Sequence, residues 1–198
     1  MRKELILSMS IFITFFLHAC QGNTTESSKV LEADLTGREE AILSTTAEQS
    51  FVFDFHTDEE LEELTVSVER YESGELIDDK LIYFSAEIQE EGSIIFTVSG
   101  MNSSGNRLFL HSGIGSNNVV SVSRNTTALP GENVSSVWGI NPNEKDPASG
   151  EMVLASILYS SDEGGMSSLP DYFYEDADEH AEELEDYDTA FLLKAEFK

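Results

Sequence analysis

The chain has 198 residues, 40% of them hydrophobic, and its 38 acidic against 11 basic residues give a formal net charge of -27 at pH 7. A field of that sign repels nucleic acid, anionic lipid headgroups and anionic wall polymers, and disfavours them as partners unless a cation forms the bridge. With Cys20 as its only cysteine the chain can form no internal disulfide, so the fold must hold by its core alone.

Arg2 and Lys3 precede an apolar run from Leu5 to Ala19, the layout of a secretory signal. As a helix the run would span roughly 22 Å, short of a hydrocarbon core of roughly 30 Å, which argues against an uncleaved membrane span. Leu17, Ala19 and Cys20 resemble a bacterial lipobox, although His18 departs from its pattern. The resemblance implies cleavage between Ala19 and Cys20, a diacylglycerol thioether on Cys20, and a chain held by lipid on the extracytoplasmic face of a cell membrane. Residues 1–19 are then a signal peptide and 20–49 a lipidated cysteine with a polar tether. As a flexible coil, the stretch from Gln21 to Thr36 would reach about 20 Å. Residues 38–49 have the composition for one or two weak helical turns.

The domain is expected over residues 50–198. Phe51, Phe53 and Phe55 alternate with Val52, Asp54 and His56, the period of a half-buried strand. Thr57-Asp58-Glu59-Glu60 matches a capping box, which predicts a helical turn over Asp58 to Glu63. Leu64, Val66 and Val68 mark a second strand, and Ser73-Gly74 supplies a tight turn into Leu76-Ile77. Strands follow at 81–88, 93–99, 107–112 and 119–123, each bounded by Gly, Asn or Ser clusters. Residues 125–150 read as a long loop carrying Pro130, Trp138, Pro142 and Pro147. A strand at 152–159 should place Met152, Leu154 and Leu158 on one face. An acidic run, Asp171 to Asp188, has a helical reading between Asp176 and Asp186. Phe191, Leu193, Ala195 and Phe197 close the chain as an amphipathic strand. The pattern predicts a mainly β fold: one antiparallel β-sandwich, or a partly open barrel, with a short helical turn and an acidic helix near the C-terminus. No long amphipathic helix alternates with the strands, which argues against a parallel α/β sheet.

Candidate chemistry is sparse. Asp176, Asp178 and His180 occupy the first, third and fifth slots of a calcium loop, but Ala181 and Tyr187 replace its Gly and Glu. What is left to test is a weak cation site, Ca2+ being the ion, at Asp176 and Asp178; a solvated acidic face is the simpler reading of the run. No Gly-x-Ser-x-Gly elbow and no His-Glu-x-x-His occurs. His111 and Ser112 are adjacent in a strand, which sends them to opposite faces. Gly113-Ile114-Gly115 lacks the following helix of a phosphate cradle. Trp138, Tyr172 and Tyr174 in loops suggest contact with a ligand, since aromatics stack on sugars and partner side chains; the simpler reading is that these aromatics fold back to cover an open end of the core.

Val66 to Leu76, following Phe51 to Phe55, is similar to segments of uncharacterised lipoproteins of Bacillus-type Gram-positive bacteria, a resemblance that covers about a sixth of the chain and implies no activity. The expectation is a binding module of the cell envelope, with the membrane reached through the lipid anchor and an envelope protein or glycan as partner. An envelope hydrolase using paired carboxylates or a metal is the alternative.

Overall fold

The computed structural model describes residues 28–57, 60–100, 107–128, 131, 134–162 and 165–198. Ala19 and Cys20, and Asp58 and Glu59 of the expected capping box, lie outside them. Among the described residues ten strands run in chain order: β1 (Lys29–Glu32), β2 (Gln49–His56), β3 (Glu63–Glu72), β4 (Glu75–Glu87), β5 (Glu91–Gly100), β6 (Arg107–Ser116), β7 (Val119–Ala128), β8 (Ser135–Ile140), β9 (Met152–Ser160) and β10 (Thr189–Phe197). They form two five-stranded antiparallel sheets, ordered β1-β2-β5-β6-β7 and β4-β3-β10-β9-β8. The fold is a β-sandwich.

The alternating phenylalanines of β2 build the inner face of the first sheet. Phe51 stacks on Phe96 of β5 with ring centres 6.0 Å apart, and Phe55 meets Phe197 of β10 edge-on at 5.4 Å across the two sheets. Leu64, Val66 and Val68 of β3 and Leu108 and Leu110 of β6 complete the same inter-sheet core. The turns that fold these strands together use the backbone freedom their residues supply. Ser73 and Gly74 join β3 to β4, and Asn117 and Asn118 join β6 to β7; all four have positive φ, the conformation that matches a hairpin's right-handed twist.

The polar tether expected over residues 20–49 gives way to ordered structure from Lys29 onward. β1 pairs with β2, and Val30 is buried because its backbone also bridges to Lys145 beyond β8. Its three neighbours are polar or half-exposed, so one buried side chain left no readable period. Helix α1 (Gly37–Ser44) follows, where one or two weak turns are expected. It starts on a capping box in which Thr36 Oγ1 accepts from the Glu39 N–H and the Glu39 carboxylate accepts from the Thr36 N–H.

The expected loop at 125–150 contains instead the end of β7, the whole of β8 and a 3-10 turn at Pro147–Ser149. β8 escapes a period-2 reading because Gly139 interrupts it. The acidic helix expected between Asp176 and Asp186 is absent. A short 3-10 turn, Asp171–Tyr174, precedes that span and a second, Ala181–Asp186, takes up its latter half, because Phe173, Tyr174, Leu184 and Tyr187 must all reach one sheet surface. The single face expected for β9 is split by a bulge: Leu193 lies opposite Ala155 and Lys194 opposite Val153, skipping Leu154. Met152 and Leu154 therefore face the inter-sheet core, whereas Leu158 faces outward with Val153.

That outward face is covered. Leu169, Phe173, Tyr174, Leu184 and Tyr187 lie over Val153, Leu158, Ala190 and Leu192, making a second core on the outside of the second sheet. β10, expected to be amphipathic, is thus a central strand buried on both faces, as strands between two apolar layers are.

Candidate functional site

The sequence assigns three groups of residues a function, and the fold separates them. Trp138 lies in β8, opposite Ile157 of β9 and on the same side as Ile140, which packs on the inter-sheet core. It stays 46% exposed because β8 is an edge strand. Tyr172 and Tyr174 sit on the other side of that sheet. Tyr172 is half-exposed, donates its hydroxyl to Glu183 and meets His180 edge-on at 4.8 Å. Tyr174 is buried, with its hydroxyl 2.8 Å from Ser156 Oγ. Burial raises its phenol above the ordinary range, the hydrogen bond to Ser156 acting against that rise. Trp138 and the two tyrosines therefore form no common aromatic surface, and Tyr174 is a structural pillar.

Gly139 shows why. A Cβ at that position would overlap the Tyr174 hydroxyl. Gly139→Ala should therefore cost about 1–3 kcal/mol, and Tyr174→Phe in the same chain should recover part of the loss by removing the overlapping oxygen. Thermal melts of the two single variants and the double variant test this; strict additivity would refute the contact.

Asp176 and Asp178 line a cleft of about 400 Å³ with Glu151, Glu175, Tyr174 and Lys194. Asp176 Oδ1 accepts the Glu179 N–H at 3.1 Å, closing a local turn. Among the described residues, no group of three or more His, Cys, Asp or Glu side chains converges to hold a metal ion. The floor of the cleft carries Lys194, which with Glu69 beneath it is the most buried charge among the described residues. Lys194 Nζ lies 3.0 Å from Glu69 Oε1 and 2.9 Å from Glu151 Oε1, and the Tyr71 hydroxyl donates to Glu69 Oε2 at 2.7 Å. Lys194 and Glu69 are 7% and 8% exposed. Burial works against the ammonium, but the hydrogen bonds to Glu151 and Glu69 outweigh it and hold Lys194 above the ordinary lysine range. For Tyr71, burial first and then the bond to Glu69 push the phenol well up. The two carboxylates that come together here thus face an ammonium, a pairing that ties β3 and the approach to β9 to the central β10.

A different surface stands out by its charge. From Gly92 to Gly131 the chain has neither Asp nor Glu, although 38 of its 198 residues are acidic. This run makes up nearly all of β5, β6 and β7, three of the five strands of the first sheet. Its registers set Val52, Ile95, Gly113 and Val122 in one row across β2, β5, β6 and β7, and Thr97, His111 and Arg124 in the next but one. Val120 and Val122 are 60% and 47% exposed on this face, and Val119, at the hairpin tip on the opposite face, is 64% exposed. Gly113 and Gly115 present no side chain, so Ile95 and Val120 border a depression of about 640 Å³ that reaches Lys29 and Leu31 of β1, with Asp54 and Glu91 at its margin. The two glycines thus leave apolar surface open, a use unrelated to phosphate. Counting charge along the chain, instead of over the whole of it, would have singled out this run.

The match to known families covers the whole of this architecture. Residues 29–197 match the family model of the YgaN domain, a span that runs from the first residue of β1 to the last of β10. None of the curated proteins and none of the solved structures matches the chain. The chain belongs to the YgaN domain family.

Proposed function

We propose that this chain is an extracytoplasmic lipoprotein, anchored in the cell membrane through lipid on Cys20, whose β-sandwich works as a binding module of the envelope. The observation that carries the reading is the outer face of β5, β6 and β7, which has no carboxylate from Gly92 onward, Glu91 standing at its margin. A chain of this charge repels most approaching anionic surfaces, and on this face alone does it offer exposed valines with Arg107, His111 and Arg124 and no carboxylate between them. Exposed apolar surface of this kind marks interaction sites in soluble domains.

The face also lies toward the anchor. Lys29 pairs with His56, His56 with Glu91, and the neighbouring Gly92 with Ser116, which closes the hairpin on Val119. The chain enters the sheet at the same end as the exposed hairpin tip. Between Cys20 and Lys29 the backbone can span at most about 30 Å, so the tip would stay close to the lipid surface.

Cys20→Ala tests the anchor. The variant should lose palmitate labelling and move from the membrane fraction to the soluble one, because the acyl chains supply the membrane affinity. A parent chain that takes up no label, or a variant that stays in the membrane fraction, would refute the lipid anchor.

A further inference from the structure

We infer that the binding face takes a second copy of this chain, joined to the first through the free edge of β7 so that the two first sheets become one. The inference rests on the reading of the acid-free face as an interaction surface and names its partner.

The sandwich has four edge strands. β1 has four residues and bridges to Lys145, and β8 has six. β4 carries Glu75, Asp78, Asp79 and Glu87 along its length; charges of this kind guard an edge against pairing. β7 has ten residues, no proline, no acidic residue and no register break against β6. Arg124 is its one charged side chain, and around Val120 and Val122 it lacks the protections that edge strands normally carry.

The hairpin geometry says which of its groups are available. Ser116 and Val119 flank the two-residue turn and are the first bonded pair; bonded and non-bonded pairs then alternate. The backbone N–H and C=O of Val120, Val122, Arg124 and Thr126 consequently point away from β6. At the far end this edge is closed: Asn125 accepts from the Thr126 N–H at 2.7 Å and its Nδ2 donates to the Leu81 carbonyl of β4. At the near end, around Val120 and Val122, no strand among the described residues pairs with it.

A second copy fits this half-edge better than any other strand suggested by the chain's own chemistry. Two chains of charge -27 repel across most orientations. An antiparallel β7–β7 contact brings together the acid-free faces instead. With Val122 opposite Val122 of the other copy, Val120 meets Arg124, the two arginines stay apart, and the apolar row Val52–Ile95–Gly113–Val122 runs on unbroken into its twofold mate. A slip by one residue would turn these valines to the wrong side, so the register is specified.

A photo-reactive residue in place of Val122, in the full chain in its own cells, tests this. The expected product is an adduct of twice the chain's mass, lost when Val120→Asp is added; the reporter moved to Leu76, which is equally exposed on β4, should give none. An unchanged melt for Val120→Asp separates loss of contact from loss of fold. An adduct of any other mass would overturn the second copy and leave the binding face standing. No adduct at all would overturn both.

Discussion

Lys194→Met should destabilise the domain by about 3–5 kcal/mol, because it leaves the Glu69 carboxylate buried without its counter-charge. Glu69 keeps only the Tyr71 hydroxyl, a neutral donor. The paired variant Lys194→Met with Glu69→Gln removes both charges and should recover most of the loss, since a buried ion pair costs about as much to desolvate as it returns. Denaturant titrations of the two variants measure this. If Lys194→Met alone unfolds at the parent's midpoint, the buried pair does not hold the sheet.

The same cluster sets an alkaline limit. Lys194 is held above its ordinary pKa, so its contribution is whole below the unfolded value of 10.5 and is lost as pH rises through the higher folded value. Tyr159 acts in the same direction: burial, with a smaller push from Glu48, raises its phenol from 10.0 to about 12. A neutral buried phenol stabilises below pH 10 and that share disappears between pH 10 and 12 as the proton is lost. Stability should therefore fall as the pH passes 10, and Tyr159→Phe should soften the fall.

Phe173→Ala should cost about 3–5 kcal/mol, as truncation of a fully buried aromatic does. Phe173 has no exposed surface and meets Tyr174 edge-on at 5.8 Å, at the centre of the outer core. The loss should first appear in that cover: amides of Asp171–Tyr174 and Ala181–Asp186 should exchange faster than those of β2 and β5, whose side chains pack in the other core. Tyr172→Ala, one residue away but half-exposed, should stay within about 0.5 kcal/mol. Equal effects of the two substitutions would mean that the segment does not pack on the sheet.

These two side chains show how far the residues could be read in advance. Tyr172, Phe173 and Tyr174 form one aromatic run, and nothing local to it says that the middle and last rings are buried and the first is not. That depends on the surface beneath them, which β9 and β10 supply. Trp138 was misplaced for the same reason: its strand is visible only as a ladder against β9, and Gly139, a poor strand residue, is there to make room for Tyr174. The bulge at Leu154 shifts a face without any turn residue to mark it. By contrast, Phe51, Phe53 and Phe55 declare their strand and its inner face, since one buried surface under a pleated backbone demands a period of two. Ser73-Gly74 and Asn117-Asn118 declare their hairpins, because few other residues accept positive φ.

What the amino-acid order determined by itself was therefore local: the β class, most strand positions and the tight turns, each following from backbone sterics and the period of burial. Strand order, the second core and the pairing of Lys194 with Glu69 and Glu151 were decided only by tertiary structure. These join residues far apart in the chain, and an alternating pattern states that a face is buried without stating what buries it. The binding face stands between the two. Its lack of carboxylates is written in residues 92–131, but only the sheet turns that run into a surface and leaves the outer edge of its last strand open around Val120 and Val122.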